Sequence, residues 1–530
     1  MSKILSLYNT FTRTFKHVEL SGNLVCATSQ FKPIHGSMYI CGPTVYADSH
    51  IGHALAYIRA DLFKRVLKRY FNVNLATVMN ITDIDDKIIN EVNKRSKPGE
   101  SLSSDPSNHP FRQVSEQYLK SFQDDMKKIR VQPPDLTLKI SDHIDVIMAF
   151  IRQLEEAGCA YSTPEGDVFF DVTSIPNYIG RVDPRSSKLD IGYKRDQRDF
   201  ALWKAAKPGE PIWIYKGDNG REVPGRPGWH VQCSALATSV FGNQLDFHFG
   251  GKDLIFPHHY NEEACCCAFH KLDTSHSLHV WAKYWLHSSH ILYGDSKMSK
   301  SIGNVMSIKN FIDRASVNAL RFLCIIHHYR TDLVFSNSVL ESVKALDHRL
   351  SAFISSLDAQ MKLAEQRGNL PSDAKSDLRL SKQPSDIDNA IEETYEEILD
   401  GICDDFDLHR GLNSIQDLIG RAHSIGLDNL SVKDLVSLWS LLKDWCGACG
   451  LEYGPTDAAH DRSLVELLRD FRQQVREWAL GELRETHKST AISRNKIQKL
   501  LEQCDNVRKS ADELGFVLND TKSTKDKKQL

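Results

Sequence analysis

Met38-Tyr39-Ile40-Cys41 is a short apolar run stopped by Gly42-Pro43, the pattern of a buried strand ending in a tight turn. From Ser49 to about Tyr70 the apolar spacing becomes helical, with Ile58, Leu62, Val66 and Leu67 on one face. Leu75 to Met79 is a second apolar run that ends in Asn80-Ile81-Thr82-Asp83 and leads into another helical stretch. This alternation predicts a parallel α/β sheet, whose ligands bind beyond the carboxyl ends of the strands, where Cys41 and Thr82 fall. Polar segments at Ser96–Pro110 and Ser186–Asp199 flank a mixed stretch with a hairpin near Ala160–Val172, so 115–215 reads as an insertion. From Ser307 onward the pattern is almost wholly helical, broken by the Ser/Asp/Lys-rich linker Gln366–Asp388.

A chain of 530 residues has room for three or four domains of roughly 150 residues each. Its 66 basic and 69 acidic residues leave a net charge of −3, so a nucleic-acid partner would have to be met by a local basic patch. The tail, with Lys522, Lys525, Lys527 and Lys528 against Asp526, is either solvated or such a patch. Twelve cysteines, three of them consecutive at Cys265-Cys266-Cys267, are too sparse and too crowded for a disulfide framework and point to a reducing compartment. The three cannot converge on one ion from a helix and are expected in the core. No run is long enough to span a membrane, so an intracellular protein without membrane contact is expected.

Three constellations bear chemistry. His50-Ile51-Gly52-His53 opens a helix, where free backbone N–H groups and two imidazoles can hold a phosphate while Gly52 admits a flat base; alone, it equally fits two ordinary helix-start histidines. Lys297-Met298-Ser299-Lys300-Ser301 places two lysines in a loop that could close over a polyphosphate or be simply solvated. His258 and Glu262, at i and i+4, share a helical face, and Cys41 and Cys233 follow apolar runs as strand ends do. Two Cys, one His and one Glu suit Zn²⁺, though buried structural cysteines and a capped helix would give the same letters.

HIGH at 50–53 and KMSKS at 297–301 together resemble the signature pair of class I aminoacyl-tRNA synthetases. Tyr39-Ile40-Cys41-Gly42-Pro43-Thr44-Val45-Tyr46, Asn80 to Lys87, Gly225 to Ser234 and Phe256 to Glu262 resemble the cysteinyl branch, in its compact bacterial and organellar form. The resemblance implies an α/β fold: a Rossmann-like parallel-sheet catalytic domain with an insertion, then a mostly helical anticodon-binding region and a small C-terminal module. Their expected bounds are 1–114 with 216–306 for the catalytic domain, 115–215 for the insertion, 307–365 for stem-contacting helices, 389–475 for the anticodon bundle and 476–530 for the module.

It further implies that ATP, L-cysteine and tRNA(Cys) are the substrates, with Zn²⁺ held by Cys41, Cys233, His258 and Glu262, and Mg²⁺ accompanying ATP. His50, His53, Lys297 and Lys300 become catalytic; Gly52, Gly250, Gly251 and Asp253 join them around ATP; Thr44, Thr82 and Trp229 line the cysteine pocket. Tyr260 stands where the family commonly has an acid. Because all these positions precede Asn389, activation chemistry is expected to survive removal of everything after it.

A ligase that attaches cysteine to an amino sugar lacks an anticodon region, whereas 226 residues follow Asn304 here, and an RNA-binding or cysteine-sensing paralogue would need neither motif. A monomer is expected. The Asp199–Lys207 segment is most similar to the animal mitochondrial type and favours the mitochondrion over the cytoplasm. Against that, Lys3, Arg13 and Lys16 only weakly suggest a presequence, and the likeness begins by Tyr8.

Overall fold

The computed structural model describes residues 3–27, 32–97, 102–178, 193–217, 220–276, 280–293, 296–297, 306–366, 385–453, 472, 475–476, 478–479 and 491–513. These form two compact units: Met1–Val343 with Glu392–Leu418 and Trp445–Gly450, and Lys344–Ile391 with Ile419–Asp444 and Leu451–Leu530.

In the first unit, hairpin strands β1 (Ser6–Asn9) and β2 (Thr14–His17) precede β3 (Ile34–Ile40), α1 (Ile51–Phe71), β4 (Val73–Ile81), α2 (Asp86–Arg95), α3 (Phe111–Lys128), β5 (Leu136–Lys139) and α4 (Ile144–Glu156). The insertion strands β6 (Ala160–Ser162), β7 (Val168–Phe170), β8 (Phe200–Ala205), β9 (Trp213–Lys216) and β10 (Glu222–Pro227) come next. Then come α5 (Trp229–Phe241), β11 (Leu245–Gly251), α6 (Tyr260–Phe269), β12 (Ala282–Ser288), β13 (Ile291–Tyr293), α7 (Ile308–Ile312), α8 (Val317–Ile326) and β14 (Leu333–Phe335).

The central sheet runs β12-β11-β3-β4-β5, parallel throughout. Covered on both faces, its strands read as near-continuous apolar runs, and β4 buries six of its last seven positions. Chain order reverses between β3 and β11, the switch point where a crevice opens beyond the strand ends. Helix α1 begins on His50 as N-cap and ends at Asn72, whose left-handed backbone (φ 51°) turns the chain into β4; Lys68 and Arg69 sit against the carboxyl end of its dipole.

A second, antiparallel sheet runs β6-β7-β8-β10-β9 and contains the expected hairpin. Its limits differ from 115–215. Leu136–Lys139 pairs parallel with β4 and so belongs to the central sheet, while β10 carries the second sheet to Pro227. Polar composition marked the loops, whereas register decides sheet membership. Cys233 does not end a strand either: it lies in α5, because the apolar run ahead of it is broken by Gly228, the cap of that helix. Beyond Ser307 the short strand β14 interrupts the helices and pairs with β13.

Helices α9 (Asn337–Gln366), α10 (Asp386–Cys403), α11 (Leu408–Ile425), α12 (Val432–Cys449) and α13 (Ala491–Glu513) complete the chain. In the second unit, Trp439 Nε1 donates to Asp358 at 2.9 Å and Arg472 Nε to the Cys504 carbonyl at 2.9 Å. Most of the linker 366–388 and the basic tail lie outside the described residues.

Candidate active site

Beyond the ends of β3 and β4 the backbone is locked. Asn80 Oδ1 accepts the Gly42 N–H at 2.8 Å and Asn80 Nδ2 donates to Thr82 Oγ1 at 3.1 Å, while Thr44 bridges Thr82. A Cβ on Gly42 would fall 1.6 Å from the Asn80 carbonyl oxygen, so only glycine lets the two strand ends approach this closely. Cys41 is thereby turned toward the switch point.

Five donor side chains meet there, all buried. Cys41 Sγ lies 3.8 Å from Cys233 Sγ and 3.5 Å from His258 Nε2. Two sulfurs about 2.3 Å from a tetrahedral zinc stand about 3.8 Å apart, and a sulfur and an imidazole nitrogen about 3.5 Å. His258 Nε2 and Glu262 Oε1 are 2.7 Å apart, an ion-pair spacing.

The fifth donor, His259, is one that the sequence reading did not select. Donor atoms of Cys41, His258, His259 and Glu262 all lie within 4.8 Å of one another. His259 Nδ1 shares a 2.6 Å hydrogen bond with His287 Nε2, and its buried Nε2 is 3.9 Å from Glu262 Oε1 with no hydrogen bond of its own.

The electrostatics of the cluster are those of a cation site. Burial alone would raise the Glu262 carboxyl, but the His258 and His248 imidazoles outweigh it and hold it at about 2. Burial would lower His258, and the charges of Glu262 and then Cys233 outweigh that, to about 10. The hydrogen bond to Cys41, followed by burial, pushes the Cys233 thiol far up. A divalent cation reverses that penalty, since thiolates are its preferred charged ligands. Trp229, the first residue of α5, stacks its ring on His258 at 4.2 Å and 10°, and so closes one side of the cluster. Tyr260 packs on Phe11 at 4.6 Å and on Phe256, turned toward aromatic rings.

His50 caps α1 through its own side chain, accepting the Gly52 N–H at 3.1 Å, and its N–H reaches His53 Nδ1 at 3.4 Å; the rings stack at 4.0 Å. A Cβ on Gly52 would lie 2.8 Å from the His50 ring, so the flat group this glycine admits here is the imidazole of its own cap. Gly250 and Gly251 end β11 and Lys252–Leu254 forms a single 3₁₀ turn, with Asp253 Oδ1 3.3 Å from His290 Nε2. The Lys297 backbone pairs with Leu292, and Lys300 lies outside the described residues.

A family model for the catalytic domain of class I (C) tRNA synthetases matches residues 28–345. The cysteine–tRNA ligase of Encephalitozoon cuniculi is 32% identical over 98% of this chain and 98% of its own, and that of Thermococcus gammatolerans 30% identical over 98% and 97%. The chain belongs to the cysteine–tRNA ligase family. A Xenopus tropicalis relative described as "Probable cysteine--tRNA ligase, mitochondrial" is 33% identical over 90% of this chain and 79% of its own. Methionyl-tRNA synthetase of Mycobacterium tuberculosis, solved with methionyl-adenylate, shares the fold at TM-score 0.54 and 14% identity, over 78% of this chain and 89% of that one.

Within this cysteine–tRNA ligase family member, sequence reasoning passed over a shell of histidines. His248 Nε2 is 2.8 Å from Glu262 Oε2, and His230 Nδ1 3.2 Å from His258 Nδ1. A signal was available: His248 sits between Phe247 and Phe249 in a buried strand, where a polar residue needs a partner. Cys265, Cys266 and Cys267 are in the core, as expected. No described helix is long and apolar enough to cross a membrane.

Proposed function

We propose that this chain activates L-cysteine with ATP and charges tRNA(Cys), and that the thiol of the amino acid is read at the Cys41–Cys233–His258–Glu262 cluster. The observation that carries this reading is the convergence of those donors at the switch point, with sulfur–sulfur and sulfur–nitrogen spacings of 3.8 and 3.5 Å. Zn²⁺ is the ion these residues suit; when bound it lowers the pKa of a thiol and prefers sulfur to a neutral hydroxyl, which is how cysteine would be told from serine. Pocket fit alone discriminates such near-isosteres only about a hundredfold.

Thr44, Thr82 and Trp229 then orient the amino acid so that its carboxylate attacks the α-phosphorus of ATP; the bond to the β-phosphate oxygen breaks and pyrophosphate leaves. His50 and His53, at the start of α1, hold the α-phosphate; Gly52, Gly250, Gly251 and Asp253 receive the adenosine; Lys297 and Lys300 neutralise the departing charge, and Mg²⁺ accompanies the phosphates. In the second step the terminal adenosine hydroxyl of the tRNA attacks the carbonyl carbon and AMP departs. We assign catalysis to the central sheet, and anticodon recognition to the helices after 389 with the C-terminal module. Likeness to relatives named mitochondrial favours that compartment.

Pyrophosphate exchange across the twenty amino acids, followed by charging of total tRNA, tests the reading. Exchange with cysteine alone and charging of tRNA(Cys) are expected; exchange that prefers another amino acid overturns it.

A further inference from the structure

The turn after β11 is held by two residues that belong to none of the motifs. Gly251, the last residue of β11, has Ser288, the last of β12, as its register partner. Just beyond those strand ends the two segments meet, with His290 Nε2 3.3 Å from Asp253 Oδ1. An ionised carboxylate only accepts, so the imidazole carries its proton on Nε2 and donates it.

The His290 backbone is itself fixed from both sides. Its N–H donates to Asp332 Oδ1 at 3.0 Å, and its carbonyl accepts the Leu333 N–H at 2.9 Å, where the parallel pairing of β13 with β14 begins. Lys252 Nζ donates to the other oxygen of Asp332 at 2.8 Å. Two consecutive residues of the turn are thus bracketed, Lys252 by Asp332 and Asp253 by His290.

With the Asp253 side chain 54% exposed, its pair with His290 adds little to stability. What the pair fixes is direction. The outer torsion of an aspartate is soft, and a donor on one oxygen sets the plane of the carboxylate and so the directions in which it accepts. A Cβ on Gly251 would fall 2.6 Å from that same oxygen, so the carboxylate lies back against its own turn.

We propose that His290 is a positioning residue for ATP: it holds Asp253 Oδ1 so that the carboxylate is already set to accept the ribose hydroxyls, and Asp332 fixes the backbone from which it does so. The proposal rests on the assignment of Asp253 to the adenosine. Of the parts of the nucleotide, the phosphates repel a carboxylate and the ribose offers it two hydroxyl donors. An acceptor set beforehand spares the ligand the cost of ordering it.

The test compares cysteine-dependent pyrophosphate exchange with ATP and with 2′,3′-dideoxy-ATP, which lacks both donors. The parent is expected to prefer ATP, and Asp253→Ala to lose the preference. His290→Ala should raise KM for ATP about fivefold while KM for the dideoxy nucleotide, KM for cysteine and kcat stay within about twofold, so the preference narrows. His290→Gln, which keeps a side-chain N–H donor, should restore it. Loss of folded enzyme would lower both rates alike and leave their ratio unchanged. If His290→Ala keeps the ratio of the parent while Asp253→Ala loses it, the proposal falls and the assignment of Asp253 stands. If Asp253→Ala keeps the ratio too, that assignment falls and takes the proposal with it. Should His290→Ala not fold, His290→Met, of similar bulk but without a donor, takes its place.

Discussion

At the scale of single residues, the five donors at the switch point are not equivalent. Cys233 has Cys41 and His258 as its near neighbours, whereas His259 already shares its Nδ1 with His287. Cys233→Ser and His258→Ala are therefore expected to lose bound zinc and to raise KM for cysteine at least tenfold more than KM for ATP. His259→Ala is expected to keep its zinc. Metal analysis of the purified variants beside steady-state kinetics checks this; a zinc-free His259→Ala with a zinc-loaded Cys233→Ser would exchange the two ligands. Lys300→Ala, which removes a cation from beside a departing polyanion, should slow cysteine-dependent pyrophosphate exchange by two to three orders of magnitude, about 3–4 kcal/mol. A rate within threefold of the parent would remove that lysine from the chemistry.

Among elements, the start of α2 is tied to the second sheet by charge. Asp86 takes ion pairs from Arg226 and, at 2.9 Å, from Lys204. Burial would raise its carboxyl, but Arg226 and then Lys204 outweigh it and hold it at about 2, against an ordinary 3.8. A carboxyl with a lowered folded-state pKa stabilises above pH 4, and that contribution fades as pH falls from about 4 to about 2. With the side chain of Asp86 55% exposed, screening reduces the effect to about 1 kcal/mol. Acid titration of Asp86→Asn against the parent should show the difference between their stabilities closing across that window.

The same elements show what could be read beforehand. Strands β3 and β4 and helix α1 were legible because each is long and keeps one period, and Cys41 and HIGH stood at their ends. The placement of Cys233 was not, since a short apolar run before a cysteine looks alike in a strand and in a helix cap. Arg321 falls in the stretch after Ser307 whose pattern is simply helical. That it lies wholly buried, joining Asp61 to the Cys449 carbonyl at 2.7 Å, depends on contacts 260 and 128 residues away, which no local pattern records. His259 was hidden in plain sight, because two adjacent histidines on a helix usually face different ways.

For the whole molecule, these distant contacts change what a cut after Asn389 is expected to do. Asp405 belongs to the first unit and accepts the Tyr8 N–H at 2.8 Å, the Tyr329 hydroxyl at 2.8 Å and Arg330 Nε at 2.5 Å, while Cys449 caps Arg321. A chain ending at Asn389 is expected to lose pyrophosphate exchange together with charging, through loss of fold. A chain ending at Gly450 should retain exchange and lose charging only. Measuring both half-reactions on the two truncations separates these outcomes; equal exchange in both would show the Asp405 anchor to be dispensable.

The tie between Tyr8 and Asp405 spans 397 residues. At about 5–20 residues per second, a ribosome that has just made Tyr8 needs roughly 20–80 s to deliver its partner. Over that interval the hairpin's Tyr8 N–H is left to water, without the Asp405 carboxylate that accepts it in the folded chain. Residues near Tyr8 are thus seated only once Asp405 has been made, so the growing chain must be kept from aggregating for roughly 20–80 s before its catalytic half is closed.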